Sequence, residues 1–302
     1  MLLLIAALLT TDTTTQTLKV AVGRDESLRV VTSGAGEPVV MIPGLFGSAY
    51  GFRKLIPLFA DCGYRTVIVE PLGIGFSSKP PKADYSLSAQ AERVAAALDS
   101  LGIRHGIVLG HSIGGAIALR LALHHPDLVS ALVLIESGPT ETAVTPAFKR
   151  AMRFAPWIKL FGGIKLIRRV VHRSLTSSSG DTSWITEPVV YGYTAGAARD
   201  LDATLRVFLA MSASRERDKL QPRLAAITGP IVELIGTAPK HDGDVPDFEL
   251  NFMQRTLPRF TLDSVRGAGH YIQEEQPQAV LEAVEQARVA AARVEPQKPR
   301  LP

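Results

Sequence analysis

Apolar residues along this chain fall into short runs separated by longer stretches with helical spacing. Leu18 to Val22 and Leu28 to Val31 predict an antiparallel entry hairpin. Val39 to Ile42, Arg65 to Val69, Gly106 to Leu109, Ala131 to Ile135, Ile231 to Ile235 and Phe260 to Val265 predict the strands of a parallel core. Helical runs such as Ala89 to Leu101 lie between them. Short, continuously apolar strands belong to a sheet covered on both faces, because no face is left for polar residues. The pattern therefore predicts an α/β fold: a mostly parallel central sheet flanked by helices. From Pro139 to about Arg223 the rhythm breaks. That span is too long for one crossover and reads as helix, so it is expected to be an inserted helical cap. The organisation expected is residues 18–138 and 224–294 as the core, 139–223 as the cap, 1–17 as an apolar leader and 295–302 as a polar, proline-rich, disordered tail.

Candidate chemistry sits on this frame. Gly110-His111-Ser112-Ile113-Gly114, followed by Gly115, lies between the run Ile107-Val108-Leu109 and the alanine-rich segment Ala116 to Leu123. Strand, sharp turn and helix with serine at the apex is the G-x-S-x-G nucleophile elbow. A serine hydroxyl is a weak nucleophile at neutral pH and needs a base, an orienting acid and an oxyanion hole. Gly267-Ala268-Gly269-His270-Tyr271 follows a strand and supplies a histidine on a flexible turn. His124 and His125 end the elbow helix, His111 is expected to pack inside the elbow, and His105, His172 and His241 carry no motif. No histidine pair has H-x-x-x-H spacing, so no metal is expected, and with no P-loop or dinucleotide fingerprint in the sequence no cofactor is expected.

These motifs resemble those of the α/β-hydrolase fold family, specifically its cap-bearing serine hydrolases, over about Leu28 to Val294. Pro43-Gly44-Leu45-Phe46-Gly47 resembles the family's oxyanion loop, with Pro43 in place of the usual histidine. Glu70-Pro71-Leu72-Gly73-Ile74-Gly75-Phe76-Ser77 resembles its D-x-x-G-x-G-x-S loop, with Glu70 in place of aspartate. The elbow and the histidine turn follow in the family's order. The resemblance implies Ser112 as nucleophile, His270 as base, and the backbone N–H groups of Leu45 and Ile113 as the oxyanion hole. Pro43 removes a donor at 43 and leaves the one at 45 in place. For the acid, Pro239 stands where the family's aspartate is expected. Asp242-Gly243-Asp244-Val245-Pro246 resembles the D-x-x-V-P stretch that often follows, which favours Asp242 after an insertion. Glu136, after the strand Ala131 to Ile135, occupies the position some relatives use, and Asp244 is the third candidate.

Composition adds constraints. The chain has 302 residues, 46% of them hydrophobic, enough for one large core plus an inserted subdomain. One cysteine, Cys62, precludes an internal disulfide and is expected to be a buried apolar residue. Met1 to Leu9 is too short to span a bilayer and resembles a secretory signal without a basic n-region or clear cleavage site, so export is expected over cytoplasmic residence. Lys149 to Arg173 holds eight Lys or Arg and no acid, interleaved with large apolar residues. That is the signature of a lid with a solvated basic face, or of a membrane-interface contact. No nucleic-acid module accompanies the charge. The function implied is a carboxylesterase acting on a small-molecule ester of apolar or aromatic acyl groups. The alternatives are C–C bond cleavage in a ring-fission diketone and a non-catalytic ligand receptor. Ser112 at the elbow disfavours dehalogenase and epoxide hydrolase chemistry, which need aspartate there.

Overall fold

The predicted apolar runs become the strands of one sheet: β1 Gln16–Gly23, β2 Glu26–Ser33, β3 Glu37–Ile42, β4 Tyr64–Val69, β5 Gly106–His111, β6 Val129–Ile135, β7 Ile231–Gly236 and β8 Phe260–Val265. They lie in a computed structural model that describes residues 14–152, 162–239 and 244–293. The sheet has the order β1-β2-β4-β3-β5-β6-β7-β8. β1 pairs antiparallel with β2, and β2 with β4; every other pairing is parallel. β1 starts at Gln16, inside the segment set aside as leader, because Gln16 pairs with Thr32.

Alternation sorts each strand's residues onto two faces. Val40, Val67, Val108 and Leu132 pack against Leu87–Ser100 and Ile113–His124, whose Val94, Leu98, Ala116 and Ile117 are buried with them. Val39, Met41, Ile68, Ile107 and Val133 pack on the other face against Leu55–Asp61 and Pro277–Ala292. Each fully buried aliphatic side chain is worth about 1.5–3 kcal/mol, so the layers are held by area rather than by any single contact. Parallel strands put all their C-terminal ends at one edge, where ligands bind in open α/β sheets.

Between β6 and β7 the described chain is helical: Pro146–Ala151, Gly163–Ser177, Glu187–Arg199 and Leu201–Ala213. Arg120, on the elbow helix and 1% exposed, holds both stems of this insertion. It donates to the Thr140 carbonyl and the Glu141 carboxylate on the way in, and its Nε lies 3.5 Å from Glu216 on the way out. Glu216 in turn accepts the Leu87 and Ser88 N–H groups at the start of a core helix. Near the sheet edge, Tyr193 of the insertion donates to Glu274, which also pairs with Arg53. Cys62 is exposed rather than buried. It caps the C-terminus of Leu55–Asp61, where the chain turns at the surface before β4. No described helix is long and apolar enough to cross a membrane.

Candidate active site

Ser112 sits at the turn from β5 into Ile113–His124 with φ 54° and ψ −126°. A non-glycine residue held there costs about 1–3 kcal/mol, which the surrounding contacts must offset. They do so with the Ser112 N–H donating to the Ile135 carbonyl at 2.9 Å and its carbonyl accepting the Ser137 hydroxyl at 2.7 Å. The flanking glycines are steric requirements. A Cβ at Gly110 would lie 2.4 Å from Gly115 Cα, and one at Gly114 would lie 2.1 Å from the Ile42 carbonyl oxygen.

The loop after β3 crosses against Ser112, since a Cβ at Gly44 would lie 3.2 Å from Ser112 Cβ. Leu45 follows, and it lines the same cavity as Ser112 and Ile113. The Ile113 amide belongs to a helix's first turn, whose N–H groups have no partner within the helix and which carries the positive end of the dipole. Glu70 fastens this loop from behind. Its fully buried carboxylate accepts the Ala49 and Phe76 N–H groups and pairs with Arg29 at 2.7 Å. The glutamate found in place of the family's aspartate thus ties the oxyanion-like loop to the loop after β4.

His270 is fixed at both ends of its backbone. Its N–H donates to the Ser178 carbonyl at 2.7 Å, and its carbonyl receives His111 Nε2 at 3.0 Å. Burial, followed by the nearby His270, pushes His111 down to about 3, so it is neutral and packs as expected. Asp244 Oδ1 lies 3.1 Å from His270 Nδ1. Asp242, favoured by spacing, lies outside the described residues, as do His241, residues 1–13, 153–161 and the tail from 294. The carboxylate that spacing ranked last is therefore the one seen on the imidazole.

Glu136 follows β6 with φ 47° and is 4% exposed. Its carboxylate accepts the Gly236 N–H at 2.7 Å and that of Val245. Burial pushes it up to about 7, opposed by those hydrogen bonds and by His270. Ligand atoms of Glu136, Asp244 and His270 all lie within 4.8 Å of one another. The imidazole and Asp244 already satisfy each other there, which makes the group a hydrogen-bonded pair with a carboxyl alongside rather than an open donor set for a metal.

Ser112, Ile113, Leu45, Glu136, Asp244 and His270 all line one cavity of about 900 Å³. Part of its apolar lining is the trio Phe46, Phe148 and Phe208, edge-to-face at centroid distances of 5.4, 5.5 and 5.7 Å. The helix Gly163–Ser177 turns Leu166, Ile167, Val170 and Val171 to the cavity and leaves Lys165, Arg169 and Arg173 exposed. Among the described residues no lysine or arginine lines the cavity. Ser178 and Ser137, which position His270 and Ser112, had no sequence signal: Ser178 acts through its backbone carbonyl, which every residue type has, and Ser137 through a hydroxyl that no motif marks.

Elbow, histidine turn, paired carboxylate and flanking loop, all at the carboxyl edge of a mostly parallel sheet, define the class. The chain has the α/β-hydrolase fold and is an α/β-fold hydrolase. The family's sequence profile, described as alpha/beta hydrolase fold, matches residues 37–164. The chain is 28% identical over 255 residues to the uncharacterized hydrolase YugF of Bacillus subtilis, covering 82% of this chain and 88% of that one. It is 27% identical over 267 residues to the 2-(acetamidomethylene)succinate hydrolase of Mesorhizobium japonicum, covering 88% and 92%. Among solved structures, the epoxide hydrolase CorEH superposes with a TM-score of 0.75 at 22% identity, over 93% of this chain and all of that one.

Proposed function

We propose that this protein is a serine esterase that cleaves uncharged carboxylic esters with apolar or aromatic acyl groups. Ser112 Oγ attacks the carbonyl carbon while His270 takes its proton. The oxygen that becomes negative is held by the Leu45 and Ile113 N–H groups. His270 returns the proton to the departing alcohol, and a water activated by the same imidazole hydrolyses the acyl-enzyme. Asp244 fixes the imidazole tautomer through Nδ1 and stabilises the imidazolium formed in the transition state. In this assignment Asp244 takes the role for which spacing favoured Asp242.

The observation that carries the reading is the Asp244–His270 pair on the wall of an apolar cavity that also holds Ser112. The charge of that wall bears on the substrate. Its described charged groups are Glu136, Asp244 and Glu249, with no cation. An anionic substrate buried there would lose its water without gaining a counter-charge. This argues against a ring-fission diketone or succinate-type acid, and for a neutral ester. Labelling with a fluorophosphonate and hydrolysis of chain-length-graded p-nitrophenyl esters test the proposal. Both are expected in the wild type, and Ser112→Ala should lose at least about a thousand-fold in kcat. Folded wild type that is neither labelled nor active, or Ser112→Ala retaining a tenth of the activity, would overturn it.

A further inference from the structure

The loop that carries Asp244 leaves β7 at Gly236 and returns to regular structure at the helix Asp247–Thr256. The start of the loop is held by the Thr237 and Ala238 N–H groups, which donate to the Val265 and Ala268 carbonyls, and one residue reaches both ends. Glu136 receives the Gly236 N–H at the loop's start and the Val245 N–H directly after Asp244. To reach both, it holds a left-handed backbone at φ 47° at the end of β6, a conformation that non-glycine residues adopt at a cost. A surface carboxylate would have water as a cheaper partner, yet Glu136 is nearly sealed from solvent beside the imidazole.

We infer that Glu136 is a positioning residue: it clamps the acid loop so that Asp244 meets His270, and its own ionisation tunes the pH range over which the imidazole accepts a proton. The inference rests on the serine-hydrolase reading of the site and extends it to the carboxylate beside the Asp244–His270 pair. The charged groups around Glu136 are few. Asp244 on the clamped loop disfavours its ionisation, and His270 on the turn after β8 favours it. Glu233 on β7 is kept from ionising by its own burial and then by Glu136. Glu249, on the helix that follows the loop, packs against the neighbouring Gly138. Burial holds the Glu233 carboxyl well above the usual carboxylate range, so of these two buried glutamates Glu136 is the one that changes charge near neutral pH. Once ionised, it adds a second negative charge beside the imidazole, favours the imidazolium, and so moves the acid limb of activity to higher pH.

Glu136→Gln and Glu136→Ala test this by two readouts, one independent of turnover. In amide exchange, Gly236 and Val245 should lose protection by about tenfold or more in Glu136→Ala, while Glu136→Gln, whose single oxygen can still accept, keeps part of it. By NMR, the pH at which the His270 imidazole titrates should fall by about half a unit in Glu136→Gln. Where the wild type hydrolyses esters, the acid limb of kcat/KM should move by the same amount, with kcat falling and KM little changed. Unaltered exchange together with an unmoved imidazole titration would overturn the inference. So would a Glu136→Gln enzyme as dead as Ser112→Ala with Asp244→Asn still active, since Glu136 would then be the acid itself. An inactive wild type that still shows both shifts would sink the esterase reading and leave the clamp standing.

Discussion

On the sheet side, the cavity is walled by residues whose places are fixed at least twice over. Ser112 is held by a strand hydrogen bond, the Ser137 hydroxyl and two glycine contacts too tight for any side chain. His270 is held by His111 and Asp244, and by one contact from the insertion, Ser178. On the insertion side, the wall is apolar side chains on helix faces: Phe148, Leu166, Val170 and Phe208. They are directed by packing, and the insertion is tied to the core by a few buried polar contacts at Arg120 and Glu274. In the proposed esterase, chemistry that needs atoms within tenths of an ångström falls to the over-determined wall, and selectivity by shape and volume falls to the wall held by packing.

The sharpest way to break this comparison is to change one atom on the rigid wall. Asp244→Asn should lower kcat on a p-nitrophenyl ester by about 10³–10⁴-fold with little change in thermal stability, because the amide holds the imidazole in the wrong tautomer. Asp242→Asn, two residues earlier, should be nearly silent. Steady-state kinetics on both variants decide it; comparable losses, or the reverse order, would remove Asp244 from the role.

That contrast also marks where the sequence stops being legible. The strands could be read because continuous apolar runs have only one stable place, the middle of a covered sheet. The elbow could be read because its glycines are imposed by steric contact. The sequence from Thr237 to Pro246 carries no apolar periodicity. Asp242 and Asp244 stand two apart around Gly243, and spacing alone does not say which side chain faces a histidine brought in from the next strand. The clamp at Glu136 depends on where the Gly236 and Val245 amides point, and backbone direction in a loop leaves no residue-type signature. Cys62 misled for a related reason: cysteine's average preference for burial says nothing about a helix end at the surface.

The second test cuts the tie between the walls. Arg120 is an almost fully buried cation facing Glu141 and Glu216, with the stem carbonyl of Thr140 on the same guanidinium. Arg120→Met removes the charge and leaves both carboxylates partly buried without it, a change that typically costs about 3–5 kcal/mol. Urea denaturation should show that loss. If the insertion is tied to the core mainly here, binding of long acyl esters should suffer more than the rate on the shortest ester. An equal loss on both would mean that the stems also steady the rigid wall.

A third test uses pH against stability. Burial raises Glu136 from its ordinary range to about 7 in the folded protein, so the native state binds a proton more tightly than the unfolded chain. By linkage, the stability this confers is present in full below pH 4.5 and is lost as pH rises through 7. The span corresponds to an upper bound of about 3 kcal/mol. Glu136→Gln, which has no proton to lose, should therefore show a flatter stability curve between these limits than the wild type. Parallel curves would mean that Glu136 is ionised throughout and sits in a more polar setting than its burial implies.

The smallest expected effect belongs to the repackable wall. Phe208 is buried and stacks edge-to-face on Phe46 and Phe148 in the apolar lining of the cavity. Phe208→Leu keeps an apolar surface while removing ring volume, so the site gains room without gaining a polar group. Each additional methylene that a longer acyl chain can bury is worth about 0.8 kcal/mol, and two of them amount to on the order of tenfold in relative kcat/KM. The ratio of rates on longer over shorter acyl esters should rise by about that factor. The kcat on the shortest ester should stay within about twofold, because no group that touches the reacting carbonyl has moved. A chain-length series on wild type and variant measures it. If the ratio is unchanged while the short-ester kcat falls, Phe208 steadies the Leu45 loop through Phe46 instead of bounding the acyl site, and the division between a chemical wall and a shape-selecting wall fails at that contact.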